Sequence, residues 1–434
     1  MAETYDAIVI GAGIIGAALA KELGERGWRT LNLDRLPAAG YGSTGASCAI
    51  IRVHYSTVDG AAMAYDGYFY WKDWADYIAV TDERGLAPFR ECGCLVMKTE
   101  KNGYLEKIAA NCAALGIPFD DLDHAALAAR LPGFDLRCYA PVKRPDDPGF
   151  AEPTGGTLAG ALFFPTAGYI ADPQLATHNL QRAAEAAGGA FRFNAEVTDI
   201  RREGGRVVGV TLADGSRIDA PVVVNVAGPH SAKINDLAGV TQGMAITTRA
   251  LRQEVAHVPA PAGVDWEGAG VVISDSDIGC YSRPELGNHI LIGSEDPECD
   301  PREFVDPDDF DRGFTEQWTV QVQRQAQRIP GLPIPRQMAG VVDLYDVTED
   351  WIPIYDASDL GGFYMAIGTS GNQFKNAPVA GALMAELIVA CEQGRDHDAE
   401  PLPFTLKRIG RTIDTRFYSR QRAINPESSF SVLG

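Results

Sequence analysis

The chain has 434 residues, 46% of them hydrophobic and 22% charged, with a formal net charge of −20 at pH 7. That balance suits a globular protein of two or three structural units, and the negative excess disfavours nucleic acid and anionic membrane surfaces as partners. No run of about 18 uncharged apolar residues marks a membrane span, and no leader is expected ahead of the first strand, so the expected location is cytoplasmic.

The chain opens on Ala7–Ile10, an apolar run that predicts a buried parallel strand. Gly11, Gly13 and Gly16 follow in G-x-G-x-x-G spacing, then a helical pattern through Leu19, Ala20 and Leu23, and a second strand over Thr30–Leu33 that ends on Asp34. Each part has a physical job at a dinucleotide. Gly11 permits the tight turn, Gly13 leaves room for a pyrophosphate, and Gly16 lets helix and strand pack closely. The helix N-terminus presents free N–H groups to the phosphates, and Asp34 stands where an acid accepts from a ribose hydroxyl. Arg35 is a further candidate at that end.

Small residues continue through Gly42, Ser43 and Thr44 and give way to Ile50-Ile51-Arg52-Val53-His54-Tyr55, where Arg52 is placed to hold an anion. The aromatics of Ala61–Val80 recur at helical spacing and predict a core helix. Cys94–Lys98 predicts a strand, with helices over Glu106–Leu115 and Leu122–Leu131 and an irregular stretch over Pro132–Gly155. The next unit predicts a helix over Gln174–Ala187, strands near Glu196–Arg201 and Gly205–Thr211, and a buried strand over Pro221–Val226 that ends at Ala227-Gly228. Alternation then predicts an antiparallel sheet over Thr247–Glu254, Gly270–Ser274, Gly279–Arg283 and His289–Gly293, followed by an acidic insertion and a helix over Phe314–Arg328. A strand over Phe363–Ile367, a polar loop from Gly368 through Gly371, Asn372, Gln373, Phe374 and Lys375, and a helix over Pro378–Val389 return to the opening style. The basic residues after Gly394 predict a docked terminal helix or a solvated tail. The eight cysteines are scattered and predict free thiols, and no Cys, His or carboxylate spacing marks a metal site.

Three separated segments, AIVIGAGIIGAALA, VVVNVAGPHS with the ADPQLATHNL helix before it, and GGFYMAIGTSGNQFKNAPVAGALMAELI, resemble the D-amino-acid-oxidase-like flavoproteins, especially their sarcosine oxidase and dimethylglycine dehydrogenase branch. The resemblance implies an α/β fold: a Rossmann-type FAD-binding domain with an inserted α+β cap, built on an antiparallel sheet, for the substrate. The expected FAD domain is discontinuous, over 1–88, 156–242 and 341–394, with the cap over 89–155 and 243–340 and a tail over 395–434. It implies FAD contacts from Gly11, Gly13, Gly16, Asp34, Ser43, Thr44, Val197, Ala227, Gly228 and the Gly371–Lys375 loop. It also implies a substrate carboxylate gripped by Arg52 and Lys375, with Tyr281 facing the substrate and His54 a weaker candidate beside Arg52.

The branch attaches FAD through a cysteine where this chain has Asp343, or a histidine near Ser47 and Cys48, so the cofactor is expected to be non-covalent. A cap lysine that assists oxygen in the oxidases aligns with Leu291, which leaves oxygen or another acceptor open. The implied reaction is oxidation of the C–N bond of a small secondary or N-methylated amino acid, by hydride transfer to flavin N5. A 2-hydroxy acid or polyol oxidoreductase and a non-catalytic FAD-binding subunit are the alternatives.

Overall fold

Four short buried runs, too buried to alternate, and the half-buried edge Ala190–Arg192 assemble the parallel part of the first sheet. The protein is described by a computed structural model over residues 4–99, 103 and 105–433. The sheet runs Ile354–Ala357, Phe363–Ile367, Val222–Asn225, Ala7–Ile10, Thr30–Leu33, Ala190–Arg192, parallel except for the antiparallel Ile354–Ala357 edge. Ala7, Ile8 and Val9 are wholly buried because helices cover one face and a three-stranded meander over Val197–Asp219 covers the other. The helix Ile14–Glu25 crosses from the first strand to the second. It meets the helix Ala377–Glu392 so closely that a Cβ on Gly381 would lie 2.8 Å from the Ala18 carbonyl carbon.

The stretch Phe374–Glu392 is long and apolar enough to cross a membrane, with mean hydropathy 1.3 over its best window. That window is 72% buried inside the fold, as a core helix is.

The second sheet has eight strands, in the order Gly340–Val347, Arg249–Pro259, His289–Ser294, Cys280–Glu285, Val272–Asp275, Cys94–Met97, Gly160–Phe164, Asp120–Asp123. It is mixed, not purely antiparallel as expected, because Val272–Asp275 pairs in parallel with Cys94–Met97 from a distant part of the chain. Gly160–Phe164 and Gly340–Val347, which the expected boundaries group with the nucleotide domain, hydrogen-bond into this sheet. The helix Glu316–Arg328 packs behind it, where buried Arg324 forks onto Asp300 and buried Arg328 bridges Asp275 and Asp277. The other face of the sheet looks back toward the glycine turn.

The expected helix over Ala61–Val80 is two helices, Val58–Lys72 and Trp74–Ile78, and the expected helix over Leu122–Leu131 begins only at His124, after a strand. The largest difference lies after Gly394. Residues there form a hairpin, Pro403–Leu406 with Arg411–Asp414, and then a docked strap rather than a terminal helix or solvated tail. Arg420 is 1% exposed between buried Asp356 and exposed Asp398, and Arg422 forks onto buried Asp350, so charge that looked solvated is committed to ion pairs.

Candidate functional site

One continuous cavity of about 640 Å³ runs between the two sheets, from the glycine turn to the segment around Arg52. At its first end Gly11 sits at φ +119°, and a Cβ there would lie 2.2 Å from the Val226 carbonyl oxygen. A Cβ on Gly16 would lie 2.3 Å from the Gly11 carbonyl oxygen, so helix and strand touch backbone to backbone. The helix that follows has no acidic residue in its first turn, and Thr44 Oγ1 accepts from the Ile14 N–H at 3.2 Å. Its positive end therefore opens on the cavity.

Asp34 accepts from the Ala12 N–H at 2.8 Å and the Leu36 N–H at 2.9 Å, and burial pushes its carboxyl above the usual range. Val197, Ala227, Gly228 and Ser43 also line this part. Arg35 lines the mouth, but its guanidinium is committed to Asp308 and to His230 at 2.7 Å, tying the acidic insertion of the cap across the opening together with Lys233.

The other end is built from side chains. Arg52, 8% exposed, donates to the carbonyls of His54 at 3.1 Å and Val432 at 2.7 Å, and lies 4.6 Å from the centre of the Tyr55 ring. Lys375, 2% exposed, donates to the Tyr55 hydroxyl at 2.8 Å and to the Asn372 carbonyl, and also sits over the Tyr55 ring. Among the described residues no carboxylate pairs with either cation. Burial and the Arg52 charge hold Lys375 well below the ordinary lysine value, and burial pushes the Tyr55 hydroxyl up to about 12. His54 stacks on Phe164 at 4.6 Å, and its buried Nδ1 has no partner; burial, Arg52 and Lys375 keep the ring neutral. A buried cation served only by neutral oxygens is a site waiting for an anion.

The loop that carries Lys375 is shaped by its neighbours. A Cβ on Gly371, at φ +68°, would lie 2.5 Å from the Tyr345 ring, and the Trp71 indole donates to the Lys375 carbonyl at 2.7 Å. Phe374 stacks on Trp71, while Asn372 and Gln373 are buried and the Asn372 Nδ2 has no partner. Across the cavity the Tyr281 hydroxyl meets Cys48 Sγ at 3.4 Å, and its ring fills the space that a Gly293 side chain would take. The cavity thus brings together Arg52, His54, Tyr281 and Lys375 from three parts of the chain.

Tyr55, Cys94, Ser274, Tyr345 and Val432 share that end without having stood out in the sequence. Tyr55 was adjacent to a marked residue, and the other four carry no local pattern.

The cavity fits a dinucleotide: a glycine turn that packs backbone to backbone along its wall, a helix N-terminus facing it, a half-buried acid at the end of the second strand, and an orphaned amide nitrogen at Asn372. Residues 6–387 match the family model described as DAO, FAD dependent oxidoreductase. The chain is 25% identical to the glycine oxidase of Geobacillus kaustophilus over 416 residues, covering 95% of this chain and 99% of that one. It is 27% identical to the sarcosine oxidase subunit beta of Rhodobacter capsulatus, covering 88% and 84%. Among solved structures, the L-proline dehydrogenase of P. horikoshii superposes with a TM-score of 0.74 at 22% identity, covering 90% of this chain and 95% of that one.

Proposed function

The chain belongs to the DAO family of FAD-dependent oxidoreductases and takes FAD as its cofactor, and from that membership we propose that it oxidises the C–N bond of a small secondary or N-methylated amino acid. The observation that carries the reading is the pair Arg52 and Lys375, buried 4.6 and 5.1 Å from the centre of the Tyr55 ring with no carboxylate of the described protein to neutralise them. A substrate carboxylate supplies the missing charge, through the planar fork of Arg52 and the point charge of Lys375. Fixing that one group orients the carbon next to nitrogen, which is the entropic part of the catalysis. Bound FAD supplies the acceptor for the hydride.

The residues at the glycine end, Gly11, Gly13, Gly16, Asp34, Ser43, Thr44, Val197, Ala227 and Gly228, would hold the nucleotide, and Gly371–Lys375 would run beside the flavin ring. Asp343 lines the cavity where relatives resembling this chain carry an attaching cysteine, so the cofactor would be held without a covalent bond. Tyr281 and Tyr345 would wall the substrate from the cap side. The two named relatives act, by their names, on glycine and sarcosine, which agrees with a carboxylated amine of few atoms.

A second reading, oxidation of a 2-hydroxy acid, draws on His54: a neutral ring with an unpartnered Nδ1 beside the anion site is equipped to take a hydroxyl proton. Anaerobic bleaching of the flavin absorbance separates the two. Reduction by N-methyl or cyclic amino acids supports the amine reading. Reduction by 2-hydroxy acids alone replaces it with the second. Admitting air to the reduced protein then reports whether oxygen is the acceptor.

A further inference from the structure

The cap strand Val272–Asp275 carries a hydroxyl whose hydrogen is already spent. Ser274 stands opposite Tyr281 across the antiparallel pair, and Val272, two residues back, stands opposite Cys94. Residues so paired share one face of the sheet, and Cys94, Val272, Ser274 and Tyr281 all line the cavity at the Arg52 end. Glu295 follows Gly293, the partner of Tyr281, by two residues and is 6% exposed behind Ser274.

Above the value of about 7 to which burial pushes it, Glu295 is an ionised carboxylate that only accepts, so the Ser274 hydroxyl donates to Glu295 Oε1 at 2.6 Å. The Asp275 N–H reaches the same oxygen at 3.1 Å, and the Ser276 hydroxyl reaches Oε2 at 2.7 Å. Three donors converge on one buried acid, which fixes the direction of each bond. With its hydrogen committed, Ser274 Oγ has only lone pairs left to offer the cavity. Arg52, Cys94, Ser274 and Lys375 line the same cavity, and the Cys94 thiol feels the charges of Arg52, Lys375 and Glu295.

We propose that Ser274, oriented by Glu295, is a hydrogen-bond-accepting subsite that selects, among carboxylates held at Arg52 and Lys375, those carrying an N–H or O–H donor. The inference rests on the reading of Arg52 and Lys375 as the carboxylate site. Its chemical consequence is a bias toward secondary over tertiary amino acids. A neutral secondary amine keeps one N–H for Ser274, whereas a neutral tertiary amine turns only a lone pair and carbon toward it. A buried acceptor facing an acceptor is the arrangement that discriminates most strongly between near-isosteres.

The test uses two acids of nearly equal shape, pyrrole-2-carboxylate with a ring N–H and furan-2-carboxylate with a ring oxygen. Dissociation constants are measured by calorimetry on the FAD-loaded protein at pH 8, above the value of about 7 to which burial pushes Glu295. The expected result is about tenfold tighter binding of the pyrrole acid. Ser274→Ala narrows that ratio to less than about twofold by weakening the pyrrole acid alone, and Ser276→Ala leaves it unchanged. Glu295→Met, which removes the acceptor and frees the Ser274 hydrogen to point at the ligand, moves the ratio toward the furan acid. Equal binding of both acids by the unaltered protein, or a preference that survives Ser274→Ala, overturns the subsite and leaves the carboxylate reading standing. Binding of neither acid overturns the carboxylate reading and the subsite with it.

Discussion

The two ends of the cavity are made from different materials. The nucleotide end is backbone: a glycine turn, a helix terminus and two N–H groups on one acid, all but the Val226 and Thr44 contacts supplied within thirty contiguous residues. The substrate end is mostly side chains, drawn from six separated stretches at residues 52–55, 94, 272–281, 345, 372–375 and 432. Backbone sites tolerate change in most side chains and none at the glycines. Side-chain sites tolerate backbone variation, but each charge depends on how its neighbours are desolvated.

The sharpest way to break the contrast is at Gly11. Any side chain there meets the Val226 carbonyl oxygen, and φ +119° adds strain of roughly 1–3 kcal/mol, so Gly11→Val should yield protein without FAD, read from the visible spectrum. Loss of the carboxylate clamp comes next. Arg52→Ala or Lys375→Ala should raise KM for a carboxylated substrate about 100-fold while the visible spectrum shows FAD still bound. Unchanged turnover in both would remove the carboxylate assignment.

The pH dependence of that clamp is a finer test. The cationic form of Lys375 is the one that attracts a carboxylate, and its value in the fold lies well below 10.5. Affinity for a carboxylate should therefore be full below that lowered value and fall as pH rises through it, at a lower pH than an exposed lysine would give. In Lys375→Met the weakened affinity should no longer vary across the same window, as calorimetry over a pH series would report.

The smallest effect belongs to the mouth. Arg35, Lys233 and Asp308 are each more than a third exposed, so Lys233→Ala should shift thermal stability by no more than about 0.5 kcal/mol. Its signature is a modest rise in the FAD release rate at low salt that disappears at high salt.

The legibility of the molecule follows the same division. The strands Ala7–Ile10 and Thr30–Leu33 and the helix between them stand within two residues of where pattern placed them, because a glycine turn and an uninterrupted apolar strand are local consequences of local residues. Arg52 was legible as an anion holder from its place after a stretch of small residues, but its carboxylate role and Lys375 were legible only through a resemblance, since a single basic residue has no period. That they meet at one tyrosine, with no described carboxylate paired to either, is a fact of packing. The strap after Gly394 was misread for a related reason: Arg420 and Arg422 look solvated in sequence because their acids, Asp356, Asp398 and Asp350, lie 22 to 72 residues away.

The sequence by itself determined the nucleotide turn, the order of the main strands and helices, and membership of a flavoprotein family. The physical reason is that steric rules for glycine, and the burial of a parallel strand on both faces, act over a few residues. Only the tertiary structure decided that the cap sheet is mixed, that Val432 reaches Arg52, and that Ser274 turns lone pairs rather than a hydrogen toward the cavity. Those outcomes depend on which distant groups exclude water together, and desolvation is a property of the assembled neighbourhood, not of any residue in it.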